Sequence, residues 1–265
     1  MVSASGRADA GDPLLAVRDL SVRFGGVRAL DRVSFDVGQG TICGIIGPNG
    51  AGKTSLFNCL SRLYEASEGS VQFAGADITR MSAHRVSSIG IARTFQNVAL
   101  FDRLTVRKNV EAGCFRDFGG RYLASLFMTR TARQDRRRVD ERVDELLART
   151  RLGHLANDVV ADLPFGTRKR VELARALAMS PRLLLLDEPA CGLNHEEVVE
   201  LETWIREIRD SMRISILLIE HHMSLVMRVS DQVVVLEFGR KIADGTPASV
   251  GKDENVIRAY LGGNL

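Results

Sequence analysis

The sequence predicts an α/β fold in which a mostly parallel sheet carries helices on both faces. The first observation is a set of short, almost wholly apolar runs, which are typical of strands covered on both sides. The second is that these runs alternate with stretches whose apolar residues recur at helical spacing. The strand candidates are Thr41–Ile46, Leu183–Leu186, Ile214–Ile219 and Val233–Leu236. The helical stretches carry Leu56, Leu60 and Leu63, then Val171, Ala174 and Ala178, then Leu201, Ile205 and Ile208.

An antiparallel β subdomain is predicted ahead of this sheet. Val17–Val22 and Val33–Val37 alternate apolar and polar residues, as half-buried strands do. The residues Phe24-Gly25-Gly26 turn the chain between them. Residues 1–12 contain no apolar signal region and are predicted to be a flexible tail, which leaves 13–265 as a single domain.

An inserted α-helical subdomain is predicted at about 97–160, because this stretch lacks strand signals. Within it, Arg130–Arg151 holds eight arginines against five acidic residues. An apolar stripe at helical spacing runs through the same segment, at Val139, Val143, Leu146 and Leu147. The charged outer face is either solvated or in contact with anionic lipid or a partner. Nucleic acid is not expected as a partner, because no aromatic residues are interleaved for base stacking. A hairpin and closing helix are predicted at about 236–265.

Composition limits the class of protein. The chain has 265 residues, 45% of them hydrophobic, which is enough for a core without covalent staples. No apolar run approaches the roughly 20 residues that a transmembrane helix needs. The four cysteines lie far apart with no Cys-x-x-Cys pair, so the sequence indicates a reducing cytoplasm rather than a disulfide framework or a zinc site.

The strongest chemical signal is a glycine-rich loop that follows the first apolar run. It has the pattern G-x-x-x-x-G-K-[ST], whose glycines let backbone N–H groups converge on phosphate oxygens. The lysine places a cation near the β- and γ-phosphates, the threonine offers a hydroxyl to Mg²⁺, and the next serine can reach the α-phosphate. The loop and its extension are Gly47, Pro48, Asn49, Gly50, Ala51, Gly52, Lys53, Thr54 and Ser55.

A second signal is the acidic pair Asp187-Glu188 at the end of the apolar run Leu183–Leu186. The carboxyl ends of parallel strands form the edge at which open α/β sheets bind ligands. Asp187 is placed there to hold Mg²⁺ through a water molecule. Glu188 is placed to polarise the water that attacks a phosphate.

Four further segments and one aromatic residue, together with these two, resemble the motifs of ATP-binding cassette (ABC) ATPases in order and spacing. Leu163-Pro164-Phe165-Gly166-Thr167 resembles the signature region, and Gly192-Leu193-Asn194 resembles the D-loop. Gln96 resembles the glutamine of the Q-loop, and His221 the switch histidine. Phe24 resembles the aromatic residue that stacks on adenine. The match covers nearly the whole chain, from Leu14 to Leu261.

This resemblance implies a P-loop (RecA-like) core, ATP as the nucleotide and Mg²⁺ as the metal. It implies that Glu188, His221 and Gln96 act in catalysis, and that Thr54, Gln96 and Asp187 serve the metal. It also implies that Gly166 contacts ATP held by a second ATPase subunit, identical or different, in a head-to-tail dimer. The remaining implied partners are two transmembrane permeases and, indirectly, a substrate-binding protein, with the chain at the cytoplasmic face of the inner membrane.

A narrower resemblance is to the ATP-binding subunits of branched-chain amino acid importers. It is carried by residues 92–106, 187–194, 217–223, 239–250 and 256–262. The ATPases of urea and short-amide importers share much of this sequence pattern, and the lipopolysaccharide-export ATPase shares it more distantly. Within the helical insert, Phe101, Leu104 and Val106 are candidates for the groove that receives a permease helix, or else ordinary core residues. A soluble, non-transport cassette protein remains the alternative class.

The chain departs from the usual family pattern at several positions. Pro164 stands in place of the signature serine, Phe165 in place of the first glycine and Thr167 in place of the glutamine. Asn194 and His222 stand where aspartates are usual. The pair His221-His222 suggests a metal site only if both rings share one side, and neighbours at a strand end are expected to point to opposite faces.

Overall fold

The structure is a computed structural model and describes residues 12–94, 98–114 and 130–261. Its strands are β1 (Leu15–Phe24), β2 (Val27–Val37), β3 (Ile42–Ile46), β4 (Glu68–Phe73), β5 (Ala76–Asp77), β6 (Ile91–Arg93), β7 (Leu183–Asp187), β8 (Ser215–Ile219), β9 (Gln232–Glu237) and β10 (Arg240–Gly245). Its helices are α1 (Lys53–Leu60), α2 (Ala83–Ser88), α3 (Val106–Gly113), α4 (Arg130–Arg149), α5 (Phe165–Ala178), α6 (His195–Met212), α7 (Met223–Val229), α8 (Pro247–Val250) and α9 (Glu254–Leu261). Short 3₁₀ turns lie at Gly153–Leu155 and Val160–Asp162.

The N-terminal sheet is antiparallel, with the strand order β2-β1-β4-β5. The predicted turn at Gly25-Gly26 is confirmed, because β1 ends at Phe24 and β2 begins at Val27. The simple alternation expected in β1 is wrong. The register shifts between Val17 and Leu20, where Asp19 has a φ of +47°. A bulge of this kind lets an extra residue fit into the strand without turning its apolar side chains outward.

The main sheet has the order β10-β9-β3-β8-β7-β6, and its pairs are parallel except for the hairpin β9–β10. Alternate residues of β7 enter different cores. Leu184 and Leu186 pack with α5 and α6, whereas Leu183 and Leu185 pack with α1. Helices therefore cover both faces, as the continuous apolar runs predict. The sequence analysis did not identify β4, β5 or β6.

Helices α3, α4 and α5 pack together, and the apolar stripe of α4 is buried in their common core as predicted. Several of the described arginines of α4 have partners within the chain. Arg137 and Arg149 pair with acids one turn away, and Arg142 donates to carbonyls at the end of α5. This arrangement favours the interpretation of α4 as a helix with a charged outer face.

Leu63, expected on the buried stripe of α1, lies beyond the helix end at Leu60 and is 53% exposed. The predicted tail lies outside the described residues except for Asp12, and so does Gln96. Among the described residues, no helix is long and apolar enough to cross a membrane.

Candidate functional site

The glycine-rich loop lies between the buried strand β3 and helix α1, as its motif requires. A side chain at Gly47 would collide with the carbonyl oxygen of Leu236 on β9. Gly52 has a φ of +99°, and a Cβ there would lie 2.5 Å from the carbonyl oxygen of Ala29. Glycine is therefore required at both positions, for backbone conformation and for close packing against two neighbouring strands.

Lys53 is the first residue of α1 and is only 8% exposed. Its ammonium donates to the carbonyl oxygens of Gly47 at 2.6 Å and Pro48 at 3.0 Å, so the side chain folds back over the loop. Burial lowers the pKa of Lys53, and the negative charge of Glu188 opposes that shift to a smaller extent. The structure thus brings the predicted lysine and the predicted general base close enough for their charges to interact.

The loop fits a phosphate anion on grounds that do not depend on the motif. The N-cap residue of helix α1 is Gly52, so the helix has no side-chain cap, and its first turn contains no acidic residue. An uncapped helix N-terminus presents N–H groups and a partial positive charge to an anion. The Thr54 side chain is exposed in the same turn, and Ser55 is half-buried. Hydroxyl and carboxylate oxygens are the ligands that Mg²⁺ prefers, so Thr54 and Asp187 suit that metal.

Asp187 lies at the end of β7 and forms a buried ion pair that the sequence analysis missed. Its Oδ2 atom lies 2.7 Å from Nη2 of Arg93, and the two side chains are only 4% and 7% exposed. Arg93 also donates to Oδ1 of Asn58 at 2.7 Å and to Oγ of Ser61 at 2.8 Å. The arginine thereby ties the end of β7 to helix α1. The two residues are 94 positions apart in the sequence, so the local sequence around Asp187 does not indicate this contact. The available sequence signal is an arginine at the end of a short strand.

Glu188 follows β7 in the left-handed region, with a φ of +47°. Its N–H donates to the carbonyl of Ile219 at 2.9 Å, which joins the ends of β7 and β8. Nδ1 of His221 lies 3.9 Å from Oε2 of Glu188 and also 3.9 Å from Oε2 of Glu220. The predicted base and the predicted switch histidine therefore face the same space, with His221 half exposed.

The expectation that His221 and His222 point to opposite faces is wrong. Their ring centroids lie 4.8 Å apart. The reason is that β8 ends at Ile219, so both histidines belong to a turn rather than to a strand. The potential ligand atoms of Glu220, His221 and His222 all lie within 4.8 Å of one another. The Glu220 carboxylate, however, is fully buried and accepts three backbone N–H groups.

Gly166, predicted to contact a second subunit's nucleotide, lies in the first turn of α5. A side chain there would collide with the Glu197 carboxylate on α6 of the same chain. Pro164 is the N-cap of α5 and provides no side-chain cap. Phe165 is 46% exposed beside it. The helix N-terminus therefore stands at the surface with its first N–H groups uncapped by Pro164.

The remaining predicted site residues differ in how far their side chains are exposed to solvent. Phe24 is 48% exposed, and its ring lies 5.1 Å edge-on from that of Tyr64, so one aromatic face is available. Phe101 and Leu104 are 54% and 41% exposed on the helical subdomain, whereas Val106 is fully buried. Val106 is thus a core residue, and only the first two can line a groove. Gln96 lies outside the described residues, so its predicted role stays a prediction.

The fold and this site define a P-loop nucleotide-binding protein. A phosphate-binding loop follows a buried central strand, and the neighbouring strands end in an acidic pair and a histidine turn.

Comparison with family models gives the particular family. The model described as ABC transporter matches residues 30–191. A second model, described as branched-chain amino acid ATP-binding cassette transporter, matches residues 240–264. The chain belongs to the ABC transporter family, as the motif resemblance predicted.

Curated relatives extend the match to nearly the full chain. The chain is 40% identical over 250 residues to the high-affinity branched-chain amino acid transport ATP-binding protein BraF of Pseudomonas aeruginosa, covering 94% of this chain and 98% of BraF. It is 38% identical over 250 residues to the high-affinity branched-chain amino acid transport ATP-binding protein LivG of Escherichia coli, with the same two coverages.

Solved structures agree with these relatives. A nucleotide-free ATP-binding cassette from an ABC transporter is 31% identical, with a TM-score of 0.81 over 94% of this chain and 99% of that one. The ADP conformation of an ATP-binding cassette of an ABC transporter is 31% identical, with a TM-score of 0.82 over 95% of this chain and 100% of that one. Both confirm the P-loop α/β fold.

Proposed function

We propose that this chain is the ATP-hydrolysing subunit of a membrane ABC importer for branched-chain amino acids. The observation that carries the proposal is the convergence of Lys53, Glu188 and His221 at one edge of the main sheet. The names of BraF and LivG support the substrate class, and the match of residues 240–264 to the branched-chain amino acid model supports it independently.

Nucleotide binding rests on the loop at residues 47–55. The Lys53 ammonium exchanges its two carbonyl partners for phosphate oxygens, which are stronger acceptors because they are charged. The backbone N–H groups at the start of α1 add further donors. The free face of Phe24 stacks on the adenine, and Tyr64 holds that ring from its edge.

Hydrolysis converts ATP and water into ADP and phosphate. Glu188 orients the attacking water and accepts its proton, while His221 on the facing turn donates a hydrogen bond to the γ-phosphate. Thr54, Gln96 and Asp187 would hold Mg²⁺, which would supply positive charge to offset the negative charge of the phosphate oxygens. The ion pair with Arg93 fixes where the Asp187 carboxylate lies.

Two subunits are needed to complete each site in this proposal. Gly166 and the start of α5, which has no side-chain cap, present N–H groups near the surface. They bind the γ-phosphate held by a second ATPase subunit, identical or different. The cycle of closure on ATP and opening after hydrolysis is passed to two membrane permeases. Phe101 and Leu104 offer an exposed apolar contact for these permeases. In this proposal the chain works at the cytoplasmic face of the inner membrane.

The experiment is reconstitution of the chain with two permeases and a substrate-binding protein of the branched-chain amino acid class from the same source. Proteoliposomes containing the wild-type complex should accumulate radiolabelled leucine when ATP is enclosed in the vesicles and the binding protein is added outside. Lys53→Ala should abolish uptake without preventing assembly. ATP-driven uptake of urea in place of leucine would contradict the substrate class, and a chain that never co-purifies with a permease would contradict the transport function.

A further inference from the structure

The segment Glu188–Gly192 follows the end of β7, on the way to helix α6, and has an unusual backbone conformation. Glu188 has a φ of +47°, which costs free energy for a residue with a side chain, and Gly192 has a φ of +77°. A non-glycine residue keeps such a conformation only where its surroundings enforce it. The contacts that enforce it here come from two different elements, α5 and the turn after β8.

The first contact is made by Lys169 of helix α5. Its Nζ donates to the carbonyl oxygens of Glu188 and Pro189, each at 3.1 Å. Burial lowers the pKa of this ammonium. Phe165, one turn earlier on the same helix, faces the other end of the segment, where a Cβ at Gly192 would lie 2.8 Å from the ring. Helix α5 therefore holds the segment at both ends.

The second contact is made by Glu220, which is fully buried. Its Oε1 accepts the N–H of Ala190 at 2.6 Å. Its Oε2 accepts the N–H groups of His221 at 3.1 Å and His222 at 3.3 Å. One carboxylate thus fixes the segment that carries Glu188 and the turn that carries His221 relative to each other. A buried carboxylate is stable only when it accepts several such hydrogen bonds.

We propose that Lys169 and Glu220 are positioning residues for hydrolysis, which hold the segment that carries Glu188 at two points. Lys169 binds the carbonyl oxygens of Glu188 and Pro189, and Glu220 binds the N–H of Ala190. This inference rests on the proposed function, because it concerns the base of that reaction. Lys169 also lies one turn beyond Gly166, at the helix end that meets the second subunit's nucleotide in that proposal. A shift of α5 on closure is therefore passed through Lys169 to the carbonyl of Glu188. Each subunit senses its partner's nucleotide through this contact.

The test compares steady-state ATP hydrolysis by the full-length chain in its transporter complex. Lys169→Met removes the charge and both hydrogen bonds but keeps the length of the side chain. Glu220→Gln replaces one acceptor by a donor facing backbone N–H groups. Each should lower kcat at least tenfold and change the KM for ATP less than twofold, because neither residue contacts the phosphate loop. Lys169→Arg, which restores two donors, should recover kcat to within threefold of wild type.

Matched controls are Lys241→Met and Glu202→Gln, which remove side chains paired with Asp244 and Arg228 away from the segment. Both should leave kcat and KM unchanged. If Glu220→Gln fails to fold, the Lys169 variants decide alone, since Lys169 is only partly buried and its removal leaves the core intact.

Two results overturn the inference. One is a Lys169→Met complex with kcat within twofold of wild type. The other is that kcat and ATP affinity fall together in Lys169→Met and that Lys169→Arg restores neither. That result would indicate a general structural defect. Failure of the proposed function is a different result, in which the wild-type complex itself hydrolyses no ATP.

Discussion

Replacing Arg93 by methionine removes the cation of a buried ion pair while keeping a long, apolar side chain in its place. The Asp187 carboxylate, 4% exposed, then loses a partner at 2.7 Å. Removing one member of a buried pair costs about 3–5 kcal/mol, since the other charge stays buried without compensation. Asn58 and Ser61 lose a donor as well. We therefore expect the free energy of unfolding to fall by about 3–5 kcal/mol.

The assay is urea-induced unfolding of the wild-type and variant chains, followed by tryptophan fluorescence. Arg23→Met is the matched control, since Arg23 pairs with Glu68 at 3.6 Å with both side chains about half exposed. That variant should lose less than about 1 kcal/mol. Adding Asp187→Asn to Arg93→Met should recover part of the loss, because the remaining group is then neutral. The reasoning is refuted if Arg93→Met loses no more stability than Arg23→Met.

Three further predictions concern the loop, the unusual signature residue and the cysteines. Lys53→Ala should weaken ATP binding by about 10–10²-fold in a nucleotide titration, because it removes one charged hydrogen-bond donor. Lys252→Ala, at an exposed position, should leave ATP binding unchanged. Equal ATP affinities in the two variants would contradict the assignment of the loop. Pro164→Ser should change ATP turnover less than about threefold, because one exposed hydroxyl contributes about 0.5 kcal/mol net; a tenfold gain would show that Pro164 weakens the site. Iodoacetamide at pH 8 should label the partly exposed Cys191 first, since burial raises the pKa of Cys59 to about 11 and leaves little thiolate. Peptide mapping that finds Cys59 labelled equally fast would contradict this order, and raising the pH towards 11 should speed labelling of Cys59.

The sequence was sufficient to predict the main sheet and the phosphate loop, and the reason is local in both cases. The runs that form β3, β7 and β8 are almost wholly apolar, and every residue of these three strands is buried. A short strand buried on both faces is the simplest explanation of five consecutive buried residues bounded by turn signals. The loop was predictable because Gly47 and Gly52 sit where a side chain would strike a neighbouring carbonyl.

The contacts that position the site were not predictable in the same way. Arg93 and Asp187 are 94 positions apart, and the sequence around either residue does not indicate that the other is its partner. Glu220 is preceded by a buried strand and followed by two histidines, so its sequence does not distinguish a buried acceptor from an exposed acid. The two histidines share one side because β8 stops at Ile219. The period-2 rule that separates neighbours applies only while the strand continues. Strand ends are the least certain part of any such prediction.

The most direct test of the account is the hydrolysis rate of Glu188→Gln in the assembled complex, measured together with its ATP affinity. Glutamine keeps the size of the side chain and removes the proton acceptor. The account predicts that ATP binding stays within twofold of wild type while turnover falls by about 10²–10⁴. Full turnover in Glu188→Gln would contradict the assignment of the catalytic base, because another group would then be orienting the water.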